Sequence, residues 1–373
     1  MHKFIYPNKD TWITELTSSA NYGGDEILEL EKVYDGDTFK GATRILSYFD
    51  ITAVSKSIND GTITNPKCNL RLYSTEASAL PTSYTLSANA MSQSWEEGSG
   101  KYKDYPITSD GITWEYGDAR YTSSQWELTS GFNVESGSLS TSGGGVYFTG
   151  SGFEATQTFS YQSADVDMDI TDIFNKWMSG SSNAHPNGIP NNGLLIKYSG
   201  SSETGDSNDR GNLKFFSRNT HTIYFPKLEI KWDDSTFSAG DLGELDLSGA
   251  TDNHVYVRGI KPSYKESETV KFRIGCRERN ITKTFSTSYQ TATGSYIQSG
   301  SGTYSITDLS TNETIIPFGA YTSMSCDSTS NYFLQDLNTF QPYRFYKISL
   351  KVEYEDGQEI IYDDDNFEFK VVS

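Results

Sequence analysis

The chain has 373 residues, and two or three domains are the expectation for that length. Hydrophobic residues make up 35% and aromatic ones 14%, with 25 Tyr, 20 Phe and 32 Gly against 10 Pro. That balance suits half-buried pleated surfaces joined by many turns and argues for an all-β chain. The formal net charge is -19, carried as 18 basic and 30 acidic residues in the first 235 and as 12 and 19 in the rest, which excludes a phosphate-neutralising nucleic-acid surface.

Taken in chain order, the first strand signals are "GGDEILELEKV", predicting a strand over 26–33, and "RILSYFDIT", apolar on both faces and therefore a central strand over 45–51. In "NPKCNLRLYS" the alternation puts Cys68, Leu70 and Leu72 on one face. The stretch "SQSWEEGSGKYKDYPITSDGITWEYGD" has no helical period and concentrates aromatic rings among turn residues. Residues 131–152, 179–192 and 199–212 are polar, Gly- and Ser-rich and predict exposed loops. One helix stands out in "DITDIFNKWMSG": Asp169 or Thr171 caps it, Ile173, Phe174, Trp177 and Met178 form its apolar stripe, and Gly180 ends it. Leu228, Ile230 and Trp232 alternate with Lys227, Glu229 and Lys231 in a closing strand.

A polar, Gly-rich linker then marks a boundary, predicting domains 1–235 and 236–373. The second is again all-β: "HVYVRGI", "ETVKFRIGCRER" and the alternation of Tyr346, Ile348, Leu350, Val352 and Tyr354 are strands. Asp356-Gly357 is a tight-hairpin signal, and Phe367, Phe369 and Val371 supply a last strand. An immunoglobulin-like sandwich is the expected form.

The candidate chemistry is sparse. Asp165, Asp167 and Asp169 alternate as cation ligands can, but the EF-hand pattern fails at Ile170 and Lys176, so a solvated acidic edge is the expectation. His2, His185, His221 and His254 are scattered, and Cys68, Cys276 and Cys326 have no zinc or redox spacing. No metal and no cofactor is expected, and the cysteines read as buried thiols of a chain made in a reducing cytoplasm. "MHKFIYPNKDTW" has no signal-peptide core and no stretch is long enough for a membrane span, so neither directed export nor membrane insertion is expected. The Gly143–Gly145 run lacks a strand-to-helix context, and Glu96, Glu97 and Glu115 are the nearest thing to an acid–base pair. Catalytic residues are therefore expected to be absent. What remains is aromatic: Trp95, Tyr102, Trp114, Tyr116 and Trp126 are candidate glycan contacts, each weighed against a role as a half-buried core anchor.

The order of "RILSYFDIT", "TNPKCNLRLYS", "SQSWEEGSG", "DGITWEY", "DVDMDITDIFNKWMSG", "NGLLIKYSG" and "PKLEIKWDD" over the first 233 residues resembles the disaggregatase-related jelly-roll family of carbohydrate-binding modules. That resemblance implies an N-terminal jelly roll with one short helix, a domain that binds and does not catalyse. Trp95 and Trp114 match its structural pattern, not an established ligand set. The whole chain, including "KPSYKESETVKFRIGCRER" and "YKISLKVEYEDGQEIIYDDDNFEFKV", resembles virion structural proteins of marine contractile-tailed phages. This implies a neck, tail, baseplate or head-decorating component in the virion, oligomeric, with other virion proteins and a host surface glycan as partners. A free or accessory carbohydrate-binding protein is the alternative.

Overall fold

The computed structural model describes residues 1–35, 38–126, 138–140, 143–160, 164–179, 188–204, 207–249, 252–280, 285, 288 and 294–373. Parts of the 131–152, 179–192 and 199–212 loops, His185 and Gly180 lie outside them. The fold is all-β and sandwich-like. Two compact units divide the chain: residues 5–62 with 67–230, and residues 231–373 with 1–4 and 63–66. The sequence boundary after 235 did not foresee that the two short segments pack with the later unit. Among the described residues no helix is long and apolar enough to cross a membrane.

In the unit of 5–62 and 67–230, eight strands form one curled sheet. They are β1 (Pro7–Thr14), β2 (Ile27–Asp35), β3 (Thr38–Phe49), β5 (Ser74–Ser78), β6 (Ser83–Ala90), β7 (Glu154–Ser160), β9 (Leu194–Tyr198) and β10 (Gly211–Phe216). Their order is β7-β6-β9-β3-β2-β10-β5, with β1 also on β3. The order combines direct pairings of consecutive strands, β2 with β3 and β6 with β7, with crossovers elsewhere, and fits a jelly roll. A second sheet joins β4 (Lys67–Leu72), β8 (Val166–Asp169) and β11 (Lys227–Lys231). Register sets Leu70 against Met168 and Leu72 against Val166 on its buried face. The opposite face carries the aspartates. Asp167 accepts from Asn69 Nδ2 at 2.8 Å, and Asp165 takes the backbone and hydroxyl of Ser74, both at 2.7 Å.

The sequence signalled one helix; the described residues hold three. The expected one is α2 (Thr171–Ser179), entered through Asp169, whose Oδ1 accepts from the Thr171 N–H at 2.9 Å. The unforeseen α1 (Thr52–Asn59) starts from the same tripeptide, Asp-Ile-Thr, and Asp50 Oδ1 accepts from the Thr52 N–H, also at 2.9 Å. Strand β3 therefore stops at Phe49, and Asp50 and Ile51, expected to close the strand, are the helix entry. A side-chain acceptor two residues before a free N–H competes with the ladder and wins at such points.

The third, the single turn α3 (Ser201–Thr204), fixes the unit. The register β1-β3-β9 puts Ile13, Arg44, Leu46 and Leu195 on one face, with Lys197 two residues beyond Leu195. Glu203 comes down on the two cations from α3. Arg44 Nε lies 2.7 Å from Oε1 and Lys197 Nζ 3.0 Å from Oε2, all three side chains at 7% exposure or less. Burial alone would raise the Glu203 carboxyl; Arg44 and then Lys197 outweigh it and hold it below its usual value. The 199–212 loop, expected to be an exposed insertion, thus supplies a buried anion.

The unit of 231–373 is a sandwich. One sheet contains β12 (Asn253–Arg258), β13 (Thr269–Glu278) and β15 (Asn331–Asp336). The other contains β14 (Gly302–Asp308), β16 (Phe345–Glu353), β17 (Glu359–Tyr362) and β18 (Glu368–Val372). Val255, Phe272, Ile274 and Phe333 from the first sheet share a core with Tyr304, Ile348, Leu350 and Phe369 from the second. Tyr304 stacks on Phe333 at 3.8 Å between ring centroids. Within this unit Lys3 Nζ reaches Asp336 at 2.9 Å, and Gln335 Nε2 donates to the His2 carbonyl at 3.3 Å. Cys276 and Cys326 are buried thiols outside any disulfide here, as is Cys68 in the other unit, and burial pushes Cys276 up to about 12.

Removing Glu203 strands two buried cations. Glu203→Ala is expected to cost about 3–5 kcal/mol of unfolding free energy, with Glu203→Gln costing less because it keeps one acceptor. Urea titrations of both variants check this, and a loss below about 1 kcal/mol for the alanine variant would show the triad to be unimportant.

Candidate functional site

The aromatic segment 92–118 is a packed loop centred on Asn21. That amide donates to the carbonyls of Glu97 at 2.7 Å and Ile112 at 2.8 Å, and its oxygen accepts from Gly100 N at 2.9 Å and Gly23 N at 3.1 Å. Gly98 sits at φ +79°, and a Cβ there would lie 2.4 Å from Asn21 Oδ1. Only glycine meets both demands.

Three of the five candidate rings are interior. Trp95, Trp114 and Trp126 are 4%, 7% and 8% exposed. They cover the outward face of the β1-β3-β9 strands in one cluster with Ile13, Leu46, Met91 and Leu195. Trp95 Nε1 donates to Asn192 O at 3.0 Å and Trp126 Nε1 to Thr113 O at 3.2 Å. Trp114 is flanked by the Arg44 guanidinium at 4.9 Å and by the Gly143–Gly145 run. A Cβ on Gly143 or Gly144 would come within 2.7 Å of its ring, and the carbonyls of these two glycines accept from Arg44 Nη1 at 3.1 and 2.9 Å. The glycine run is the lid of the buried triad. Tyr116 is half-buried, its N–H bonded to Thr113 Oγ1.

The carboxylates of the segment have structural partners too. Glu96 meets Lys9 at 3.2 Å, and Glu115 takes the Ser18 hydroxyl at 2.8 Å. Glu97 is gripped by Arg218 through two bonds of 2.8 and 2.9 Å and also accepts from the Asp10 N–H. Asp10 itself is 1% exposed; its Oδ2 accepts from Arg218 N, while Oδ1 has no partner among the described residues. Burial, with the Glu97 charge adding to it and Arg218 opposing, pushes Asp10 up to about 7.

Tyr102 is different. It is 53% exposed, and its loop also presents Tyr105 at 98% and Ile107 at 53%. Its main chain is held from behind. Asp25 accepts from the Tyr102 N–H through Oδ1 and from Trp12 Nε1 through Oδ2, both at 2.9 Å. Trp12 in turn stacks on Tyr22 at 4.0 Å. Burial raises Asp25 above the ordinary carboxylate value against these two donors. Tyr102 and Lys101 line two adjoining clefts. The larger, about 550 Å³, has Asp25, Glu29, Glu76 and Lys214 in its wall; the smaller, about 190 Å³, has Tyr22, Asp104 and Ile107. Lys214 spans Glu29 at 3.6 Å and Glu76 at 3.3 Å. An exposed ring beside fixed hydroxyl-binding groups is the arrangement that a sugar ring uses, its C–H face on the π face and its hydroxyls on carboxylates and ammoniums.

The sequence reading named Tyr102 as a candidate but not Asp25, Tyr105 or Lys214, which the structure places around it. Tyr105 was legible as a second ring in "KYKDYPI"; Asp25 and Lys214 reach the site only through long-range packing. No family model and no curated protein matches the chain.

Trp114→Ala is expected to destabilise the unit by about 3–5 kcal/mol, measured by chemical unfolding. Asp10 gives a pH signature. Its carboxyl titrates near 3.8 when unfolded and at about 7 when folded, so the folded state binds the extra proton between those values and stability falls as pH rises through that window. Asp10→Asn should therefore stabilise the fold above pH 7, by something on the order of 3–4 kcal/mol, and change little near pH 4. Equal effects at both ends of the range would refute the assignment.

Proposed function

We propose that the protein is a non-enzymatic structural component of a phage particle that works by contact, and that its 5–230 unit takes a host surface glycan at Tyr102. The observation that carries the glycan site is the contrast among the aromatic candidates: the tryptophans are locked into a core, whereas Tyr102 stands half in solvent between two clefts on a main chain held by Asp25. The non-enzymatic reading draws support from the carboxylates. Glu96, Glu97 and Glu115 are engaged by Lys9, Arg218 and Ser18, so none stands free to move a proton at a scissile bond. The particle assignment rests on the resemblance of the whole chain to virion proteins and on its two β-sandwich units.

The test has two arms. On a glycan array, the wild-type chain should retain at least one polysaccharide, and Tyr102→Ala with an unchanged melting profile should weaken binding about tenfold or more, the loss of one stacked ring. Undiminished binding by that variant removes the site. Mass spectrometry of purified particles should find the chain as a stoichiometric component; its absence there, with glycan binding intact, leaves a free carbohydrate-binding protein as the answer.

A further inference from the structure

The two outward faces of the 231–373 sandwich carry opposite charge. On one, the register β12-β13-β15 aligns His254 with Arg277, Tyr256 with Gly275, Arg258 with Arg273, Arg273 with Tyr332 and Lys271 with Leu334. Four cations therefore share a face whose centre is aromatic. Tyr256 leans across Gly275, where a Cβ would sit 2.5 Å from its Cζ, and His254 stacks on Tyr256 at 5.0 Å. The carboxylates on this face are engaged: Asp327 by Lys271 at 2.7 Å and Arg273 at 3.0 Å, and Asp336 by Lys3. Arg258 is exposed, and neither it nor Arg277 has a carboxylate partner among the described residues.

The opposite face is acidic and partly apolar. Register puts Phe345, Lys347, Lys351 and Glu353 of β16 outward with Glu359 and Ile361 of β17 and Glu368 and Lys370 of β18. The 363–365 turn adds three aspartates at its edge, two of which Lys347 reaches, Asp363 at 2.8 Å and Asp365 at 3.4 Å. Asp365 is 98% exposed, and Phe345 and Ile361 are 49% and 55% exposed. Carboxylates outnumber the lysines here, and β17 pairs with β16 alone among the described strands, so its outer edge is open.

We propose that this unit associates head to tail with a second copy of the chain. The Arg258/Arg277 face of one copy takes the 363–365 turn and the Ile361 side of the next. Three features favour a second copy over a free polyanion. The basic face is an isolated patch on a chain of net charge -19, which repels extended polyanions from everything around it. The matching acidic surface is built into the same unit. Each face also offers apolar surface, Tyr256 and Tyr332 against Phe345 and Ile361, which a stable contact needs in addition to charge. Because the two patches lie on opposite sheets, the contact is heterologous and propagates into a ring or a filament. This inference does not depend on the glycan site.

Sedimentation velocity of the full chain tests it. The wild type should show concentration-dependent association that high salt reverses. Arg258→Glu/Arg277→Glu and Asp363→Lys/Asp365→Lys should each weaken it about tenfold or more, and an equimolar mixture of the two variants should regain it, since each retains the face the other has lost. Should either double variant melt early, Arg258→Gln/Arg277→Gln, which introduces no like-charge clash within the face, is expected to weaken association in the same direction. A wild type that stays monomeric, variants that associate unchanged, or a wild type that binds dextran sulfate through Arg258 and Arg277 without self-association would each overturn the proposal.

Discussion

The unit of 5–62 and 67–230 is organised around one buried anion. Glu203, on a single helical turn, neutralises Arg44 and Lys197 on a sheet face where all three side chains are buried. An isolated charge at that depth costs several kcal/mol, so the three side chains are tolerable only together and only with their remaining donors satisfied. Arg44 meets that condition by donating to the Gly143 and Gly144 carbonyls, and Lys197 by donating to the Tyr198 carbonyl. The glycines can approach closely because they have no Cβ, and their positive φ values would strain any other residue.

From this constraint the placement of the tryptophans follows. A charged sheet face has to be roofed before it can be buried, and the roof is made of rings. Trp114 and Tyr147 lie 4.9 and 5.5 Å from the Arg44 guanidinium, and Tyr147 also lies 5.6 Å from the Lys197 ammonium. Cation–π contact lets an aromatic cover a cation that an aliphatic side chain would leave poorly solvated. The indole N–H groups of Trp95 and Trp126 find backbone carbonyls in the same layer. Rings held in this way present no face to solvent, whereas Tyr102 and Tyr105 project from a loop outside the roof.

How much of this was legible in the sequence depends on the range of the interaction concerned. Strands whose alternation is local, such as the one holding Cys68, Leu70 and Leu72, could be read residue by residue, because period-two burial is written into the chain. The tripeptide Asp-Ile-Thr tells the opposite story. It begins a helix at 169 and again at 50, yet only the first is followed by a full apolar stripe; α1 buries Val54 alone and so carries almost no periodic signal. Glu203 was illegible for another reason. In "SGSSETGDSNDRGN" it looks like any solvated acid, and only the pairing of β3 and β9 reveals the cations beneath it. The tryptophans were ambiguous for the same cause, since burial of a ring is a property of what covers it.

The same distinction separates the two kinds of charge in the chain. Where a carboxylate and a cation meet in the interior, as at Glu203, geometry fixes a unique arrangement and the charge specifies the fold. Where like charges collect on an outward sheet face, as at Arg258 and Arg277 or along the 363–365 turn, folding gains nothing from them, since exposed charges contribute little to stability. Their concentration on opposite faces of one sandwich then has to be understood through what the unit meets, because orientation and partner choice are what surface charge controls. Interior and outward charges thus answer to different demands: the Glu203 triad fixes one arrangement within its own unit, whereas the outward charges of the 231–373 sandwich, segregated by sheet, are what the proposed head-to-tail contact draws on.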